Sequence, residues 1–435
     1  MTISKWSWLA GITVGITTSM LGCSDDSSTP GSIDAGNPEG SVGGQAGAGG
    51  GAGNAGNAGK GGAAGTAGAA GQAGAGGSNA GGSGGIAGAG GAAGLGGAAG
   101  STAGTGGTPG TPAVRFIGRF DTSDPAGPQF EWSGSEMQAR FNGTEVKVHI
   151  NGSPNQYEAV VDGQASKVVH PGGDQTLTLA SGLAPGDHEV RLYRITEAFF
   201  WSAQFLGFDF GSGALLAPPA APDRRIEVVG DSISAGYGIE GTSASCTFSA
   251  DTENHYFTYE SISARDLGAD LITLAWSGIG MYRNSGGDMN DPRMPERYLL
   301  TMPDFPNTAW NFSSWTPHAV VINLGTNDFS TGNPGQPFAD AYLTFVTDMR
   351  GRYPNAWIYL ATSPMLGDPE QGQQKTHLQW VINQRAAQGD TKVKLLLFAT
   401  QDQADGLGCD WHPNLVTNQK MAAEMTKALK ADLGW

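Results

Sequence analysis

Between Leu9 and Arg115 the chain has no aromatic residue, and from about Ser41 to Pro112 it is almost entirely Gly, Ala, Ser, Thr and Asn, with Lys60 the sole charge. Such a stretch has too little apolar surface to offset chain entropy, so it predicts a disordered tether rather than a folded unit. Short runs such as Gly53-Asn54-Ala55-Gly56 recur loosely, without a solenoid period or a Gly-X-Y register. As a flexible coil of roughly 80 residues the tether has a typical reach of about 50 Å. A packed core is therefore expected only from about Ala113 onward, although 435 residues would ordinarily suggest about two or three domains.

Ahead of the tether, Lys5 precedes an apolar run from Trp6 to Leu21, which stops at Gly22-Cys23 and is followed by Ser24-Asp25-Asp26. The run is short and broken by Ser and Thr, which predicts a secretory signal rather than a spanning helix. Its ending, Met20-Leu21-Gly22-Cys23, resembles a bacterial lipoprotein box. That resemblance implies residues 1–23 as signal and lipobox, Cys23 as the lipidated residue, residues 24–112 as linker, and the cell envelope or surface, or secretion, as destination. Two further cysteines, Cys246 and Cys409, remain. In an oxidising compartment they either pair or stay as two buried thiols, and a bridge would pin the loop that contains Cys409. The net charge of −16 and pI near 4.7 disfavour nucleic acid and anionic membrane surfaces, leaving a lipid anchor as the only expected membrane contact. A neutral substrate and a monomer are the matching expectation.

From Ala113 to about Ala214 apolar residues alternate with period two, as in Val146, Val148, Ile150 and again in Val190, Leu192. Turn signals punctuate the pattern at Asn142-Gly143, Asn151-Gly152, Asp162-Gly163, Pro171-Gly172-Gly173 and Pro185-Gly186-Asp187. These features predict a β-sandwich over 113–214. After the Pro- and Ala-rich joint from Leu215 to Asp223 the texture becomes α/β over 224–435. Buried-type strands are expected at Ile226–Val229, Leu271–Trp276, Ala319–Leu324, Trp357–Ala361 and Val393–Phe398. Phe338, Tyr342, Phe345 and Met349 recur at helical spacing, as do Met421, Met425 and Leu429. Alternation of strand and helix implies a parallel sheet covered on both faces, with ligands beyond the carboxyl ends of its strands.

Four short polar segments fall just past those strands or in the last loop: Gly230-Asp231-Ser232, Ser277-Gly278, Gly325-Thr326-Asn327-Asp328 and Asp410-Trp411-His412. Together they hold a nucleophile, oxyanion donors and a general base, the inventory for cleaving an ester through an acyl intermediate. Ser232 follows a tight strand-to-helix turn and is the expected nucleophile. Its own amide, that of Gly278 and the Asn327 side chain are the expected oxyanion donors. His412, just before a helix start at Pro413-Asn414, is the expected base, with Asp410 holding the far ring nitrogen. Each segment alone is an ordinary turn; the assignment rests on the set. No His-Glu-x-x-His, no metal-spaced His/Cys cluster and no phosphate loop occurs, so neither metal nor cofactor is expected.

The four segments resemble the blocks of the SGNH (GDSL) hydrolase superfamily, with Ser232, Gly278, Asn327 and His412 in the named positions. Gly278 rather than Gly280 is chosen because Ser277 completes that superfamily's Ser-Gly pair. One departure stands out: most members have Asp three residues before His, where this chain has Cys409. The Asp-Trp-His spacing and the stretch Cys246-Thr247-Phe248-Ser249-Ala250-Asp251-Thr252-Glu253-Asn254 are instead similar to carbohydrate esterase family 2. The resemblance implies a jelly-roll-like β-sandwich followed by a three-layer, flavodoxin-like SGNH domain. It also implies cofactor-free removal of acetyl groups from plant-wall polysaccharides such as xylan and glucomannan. In some members Ser and His act as a dyad, which leaves Asp410 the least constrained of the set. An aromatic between Asp and His lines the family's cleft, so Trp411 is expected to stack on sugar, and Tyr282 is a second candidate for substrate binding. A GDSL-type lipase or thioesterase on longer acyl esters, or a non-catalytic glycan-binding surface lipoprotein, are the rival readings.

Overall fold

The computed structural model describes residues 113–435; the expected signal, the expected lipidation site Cys23 and the expected linker lie outside the described residues. In the C-terminal part five strands form an all-parallel sheet: β9 (Arg225–Gly230), β10 (Asp270–Ala275), β11 (Ala319–Asn323), β12 (Trp357–Ala361) and β13 (Val393–Leu396). Their order is β10-β9-β11-β12-β13, so the chain runs to one side of β9 and then returns to the other. Strand alternation distributes the apolar residues between two cores. Ile226, Val228, Ala319, Val321, Tyr359 and Ala361 face α2 (Tyr259–Leu267) and α6 (Leu415–Leu433). Val229, Val320, Ile322, Ile358 and Leu360 face α4 (Gln336–Arg352) and α5 (Glu370–Ala387). Phe338, Tyr342, Phe345 and Met349 on α4, and Met421, Met425 and Leu429 on α6, are buried as their spacing predicts. Two four-residue helices, α1 (Ser232–Ala235) and α3 (Met294–Arg297), complete this part.

The N-terminal part consists of eight antiparallel strands: β1 (Arg115–Ile117), β2 (Gln129–Phe130), β3 (Glu136–Gly152), β4 (Asn155–Val161), β5 (Gln164–His170), β6 (Gly173–Arg194), β7 (Ala203–Asp209) and β8 (Ala214–Leu216). All eight strands join one hydrogen-bonded network, ordered β2-β7-β3-β6-β4-β5 with β1 and β8 also on β3. The network curls over a single core. Phe130 of β2 and Tyr157 of β4 lie four strand steps apart, about 19 Å on a flat sheet, yet their ring centroids are 6.4 Å apart. Phe141, Val148, Ile150, Val190, Leu192 and Phe205 fill the space between.

Two of the turn signals sit inside strands instead of between them. Asn142-Gly143 lies within β3 and Pro185-Gly186-Asp187 within β6, where the register jumps from Gly143↔Gly186 to Glu145↔Ser181. A bulge needs the same glycine-rich chemistry as a hairpin, so local composition does not separate the two. Asp162-Gly163 is a true two-residue hairpin turn, with both residues at positive φ.

Contacts between the two parts are made by buried and charged groups alike. Trp132 and Ala198 of the N-terminal part belong to the core between the parallel sheet and α4/α5. Arg119 is buried 3.6 Å from Glu227 of β9 and stands over the rings of Tyr298, Trp310 and Phe312. Arg115 pairs with Asp270 and Lys167 with Glu240.

Candidate active site

β9 ends at Gly230, where a Cβ would fall within the Ser234 side chain, so only glycine fits this strand-to-helix turn. Asp231 then caps α1, its carboxylate accepting from the Ile233 N–H at 3.0 Å, and Ser232 becomes the first helical residue. Burial pushes the Asp231 carboxyl up to about 7. The loop after β10 presents Gly278 with φ +81°, a left-handed conformation in which glycine is unstrained. Neither the Ser232 nor the Gly278 N–H has a hydrogen-bond acceptor among the described residues. The loop after β11 presents Asn327, whose Nδ2 donates to the Ile279 carbonyl at 2.8 Å and lies 3.5 Å from Asp231 Oδ2. Its neighbour Asp328 accepts from three successive amides, Met281, Tyr282 and Arg283, and so ties the β10 and β11 loops together.

His412 is separated from Ser232 by 180 residues, yet the Ser232 hydroxyl donates to its Nε2 at 2.8 Å. The imidazole is buried, and burial pushes its pKa down to about 4. At neutral pH the ring is therefore uncharged, with Nε2 free to accept a proton. On the far side, Nδ1–H donates to the main-chain carbonyls of Asp410 at 3.1 Å and Cys409 at 3.2 Å.

That geometry corrects one expectation. The Asp410 carboxylate does not bond the ring; its Oδ2 accepts from the Tyr237 hydroxyl at 2.8 Å and the Phe248 N–H at 3.0 Å. Asp410 and Trp411 both have positive φ, 50° and 66°, and this left-handed twist turns the Asp410 carbonyl, rather than its side chain, toward Nδ1. Tyr237 in turn packs on the imidazole with ring centroids 4.1 Å apart, so the carboxylate acts on the base at one remove. The Cys246–Cys409 disulfide anchors the loop, and the Asp410 N–H donates to the Cys246 carbonyl at 3.1 Å.

Trp411 projects beside the base with 54% of its surface exposed. Tyr282 is half-buried and packs against the core beneath α4 and α5. Three residues that the sequence reading gave no part in the site complete the surroundings: Tyr237, Asp328 and Glu197. Asp328 lies inside a recognised segment, but neither Tyr237 nor Glu197 carries a local signal.

This arrangement is that of a serine hydrolase, and its relatives agree. Residues 116–219 match the family model described as Carbohydrate esterase 2 N-terminal, and residues 228–420 match the GDSL-like Lipase/Acylhydrolase family. A solved structure of a family two carbohydrate esterase from Clostridium thermocellum, in complex with cellohexaose, is 42% identical with a TM-score of 0.72, covering 74% of this chain and 100% of that one. The chain belongs to carbohydrate esterase family 2. Among characterised relatives, the cellulase/esterase CelE of Acetivibrio thermocellus is 43% identical over 74% of this chain, which spans 40% of that protein's length. An acetylxylan esterase / glucomannan deacetylase of Cellvibrio japonicus is 29% identical over 71% of this chain and 87% of its own length. In this family-2 chain the four polar segments thus converge from two loops, one strand-to-helix turn and a short C-terminal helical turn with two left-handed residues.

Proposed function

We propose that the protein is a carbohydrate O-acetyl esterase acting on plant-wall polysaccharides of the xylan and glucomannan type. The observation that carries this reading is the 2.8 Å contact between the Ser232 hydroxyl and a neutral His412 Nε2. His412 takes the serine proton as Oγ attacks the acetyl carbonyl. The resulting oxyanion meets the amides of Ser232 and Gly278 and the Asn327 side chain. On collapse, His412 returns the proton to the departing sugar hydroxyl, leaving acetyl-Ser232, which water hydrolyses by the same steps in reverse roles. Main-chain carbonyls hold the ring tautomer, so Ser232 and His412 work as a dyad, with Asp410 supporting through Tyr237.

The substrate assignment draws support from the names of the relatives and from the cellohexaose bound by the Clostridium esterase. Trp411, exposed next to the base, supplies an apolar face on which a pyranose ring can stack; Tyr282 is the second such group. We assign 113–214 to a jelly-roll-like domain and 224–435 to a three-layer, flavodoxin-like hydrolase domain, a division supported by the two matched spans. The Met20-Leu21-Gly22-Cys23 ending supports lipid on Cys23 as an anchor at the cell envelope, with residues 24–112 as a tether.

Acetate release from acetylated xylan and from acetylated glucomannan tests the reading. Wild type releases acetate and Ser232→Ala does not; octanoyl esters are cleaved far more slowly than acetyl esters. Preference for octanoyl would replace the deacetylase with a lipase or thioesterase, and no hydrolysis of any ester would leave a glycan-binding protein.

A further inference from the structure

Glu197 directly precedes the single helical turn Ala198–Phe200 that follows β6, so it belongs to the N-terminal part of the chain. Its side chain nevertheless ends, fully buried, against the loop that carries Gly278. The Ser277 N–H donates to Glu197 Oε2 at 2.7 Å, and the Ser277 hydroxyl donates to Oε1. On the other side of the glycine, the Gly278 carbonyl accepts from the Ser285 N–H at 2.8 Å. The peptide unit presenting the Gly278 N–H is thereby held from both ends. Glu197 is itself fixed: its N–H donates to Glu253 Oε2 at 3.1 Å, its carbonyl accepts from Arg194 Nη2 at 2.9 Å, and Ala198 is buried in the core beside it.

Burial pushes the Glu197 carboxyl up to about 7 and that of Glu253 well above the carboxylate range. Two Ser277 hydrogens converge on Glu197, so the charge of this acid pair resides there. A buried carboxylate spent on one loop residue is an uneconomical way to hold two folded parts together, since burying charge is costly. It is well suited to fixing one amide direction.

We infer that Glu197 is a positioning residue for the oxyanion site, clamping Ser277 so that the Gly278 N–H points at the reacting oxygen. The inference rests on the esterase reading above and gives the N-terminal part of the chain a share in the reaction. Loss of the clamp leaves the donor present but misdirected, which costs less than removing an oxyanion donor outright.

Initial rates on 4-nitrophenyl acetate, with melting curves, are compared for wild type, Glu197→Ala, Glu197→Gln and Ser277→Ala. Glu197→Ala is expected to lower kcat by about 10- to 100-fold with KM within about twofold, because the misdirected donor matters only once the oxyanion forms. Glutamine keeps an acceptor for the Ser277 N–H and can donate to the hydroxyl oxygen, so Glu197→Gln recovers kcat to within a few-fold of wild type. Ser277→Ala, which keeps the N–H bond, loses about three- to tenfold in kcat; it decides the matter should Glu197→Ala not fold. A folded Glu197→Ala or Ser277→Ala with wild-type kcat overturns the inference, as does a Glu197→Gln as impaired as the alanine variant. A wild type without esterase activity overturns the esterase reading itself, which separates the two failures.

Discussion

Asp410→Asn separates a hydrolase whose base is oriented by a carboxylate from one oriented by main chain. Where a carboxylate bonds the base directly, amide replacement costs about 10⁴ in kcat, because the wrong tautomer is stabilised; this corresponds to about 5.5 kcal/mol. Here the Nδ1 partners are the carbonyls of Asp410 and Cys409, which the substitution leaves in place. What changes is the acceptor for the Tyr237 hydroxyl and the Phe248 N–H. The asparagine oxygen can serve one of them in full, and asparagine tolerates the left-handed φ of 50° better than most residues. The loss is therefore confined to one weakened hydrogen bond behind Tyr237, about 1 kcal/mol, and a fall in kcat of about tenfold or less. Asp410→Ala removes both acceptors and adds backbone strain, so it lowers stability by about 3 kcal/mol while leaving measurable turnover. The assay is kcat and KM for 4-nitrophenyl acetate at pH 7.5, paired with chemical denaturation. A thousandfold loss of kcat in a folded Asp410→Asn would refute the main-chain tautomer argument.

Other consequences are equally direct. Asn327→Ala removes an oxyanion donor and should lower kcat by about 10²–10³ with little change in KM; unchanged turnover would remove Asn327 from the site. Replacing both Cys246 and Cys409 with Ala frees the loop that holds the base, so stability should fall by about 2–5 kcal/mol and kcat should fall with it; equal melting and kinetics would show that the bridge holds nothing. Trp411→Ala should raise KM on acetylated polysaccharide far more than on 4-nitrophenyl acetate, since the small ester has no sugar ring to stack on the indole; an equal effect on both would remove Trp411 from sugar binding. His412 stays neutral in the folded state down to about pH 4, whereas in the unfolded chain it takes up a proton below about 6.5. Between those values the unfolded state binds more protons at this site, so stability decreases as pH falls, by about 1.4 kcal/mol per unit. The stability-versus-pH slope of His412→Gln should therefore be shallower by one proton over that window, and parallel slopes would contradict the burial argument.

Composition by itself confined the expected core to Ala113 onward, because a stretch of Gly and Ala without aromatics has nothing to bury; that stretch lies outside the described residues. Continuous apolar runs between helically spaced segments placed the strands of the parallel sheet within about one or two residues, since both faces of that sheet are apolar. The places of Ser232, Asn327 and His412 were legible too, because each follows a strand whose end is marked by glycine or lies just before a capped helix. Tertiary structure decided the rest. Whether Asn142-Gly143 is a turn or a bulge depends on pairing with β6, far along the chain. Whether Asp410 offers its side chain or its carbonyl depends on two left-handed residues held by a cysteine 163 positions away. And Glu197 reaches Ser277 only because the N-terminal sheet docks on the parallel one: a hydrogen bond acts over about 3 Å between groups whose separation along the chain carries no trace of it.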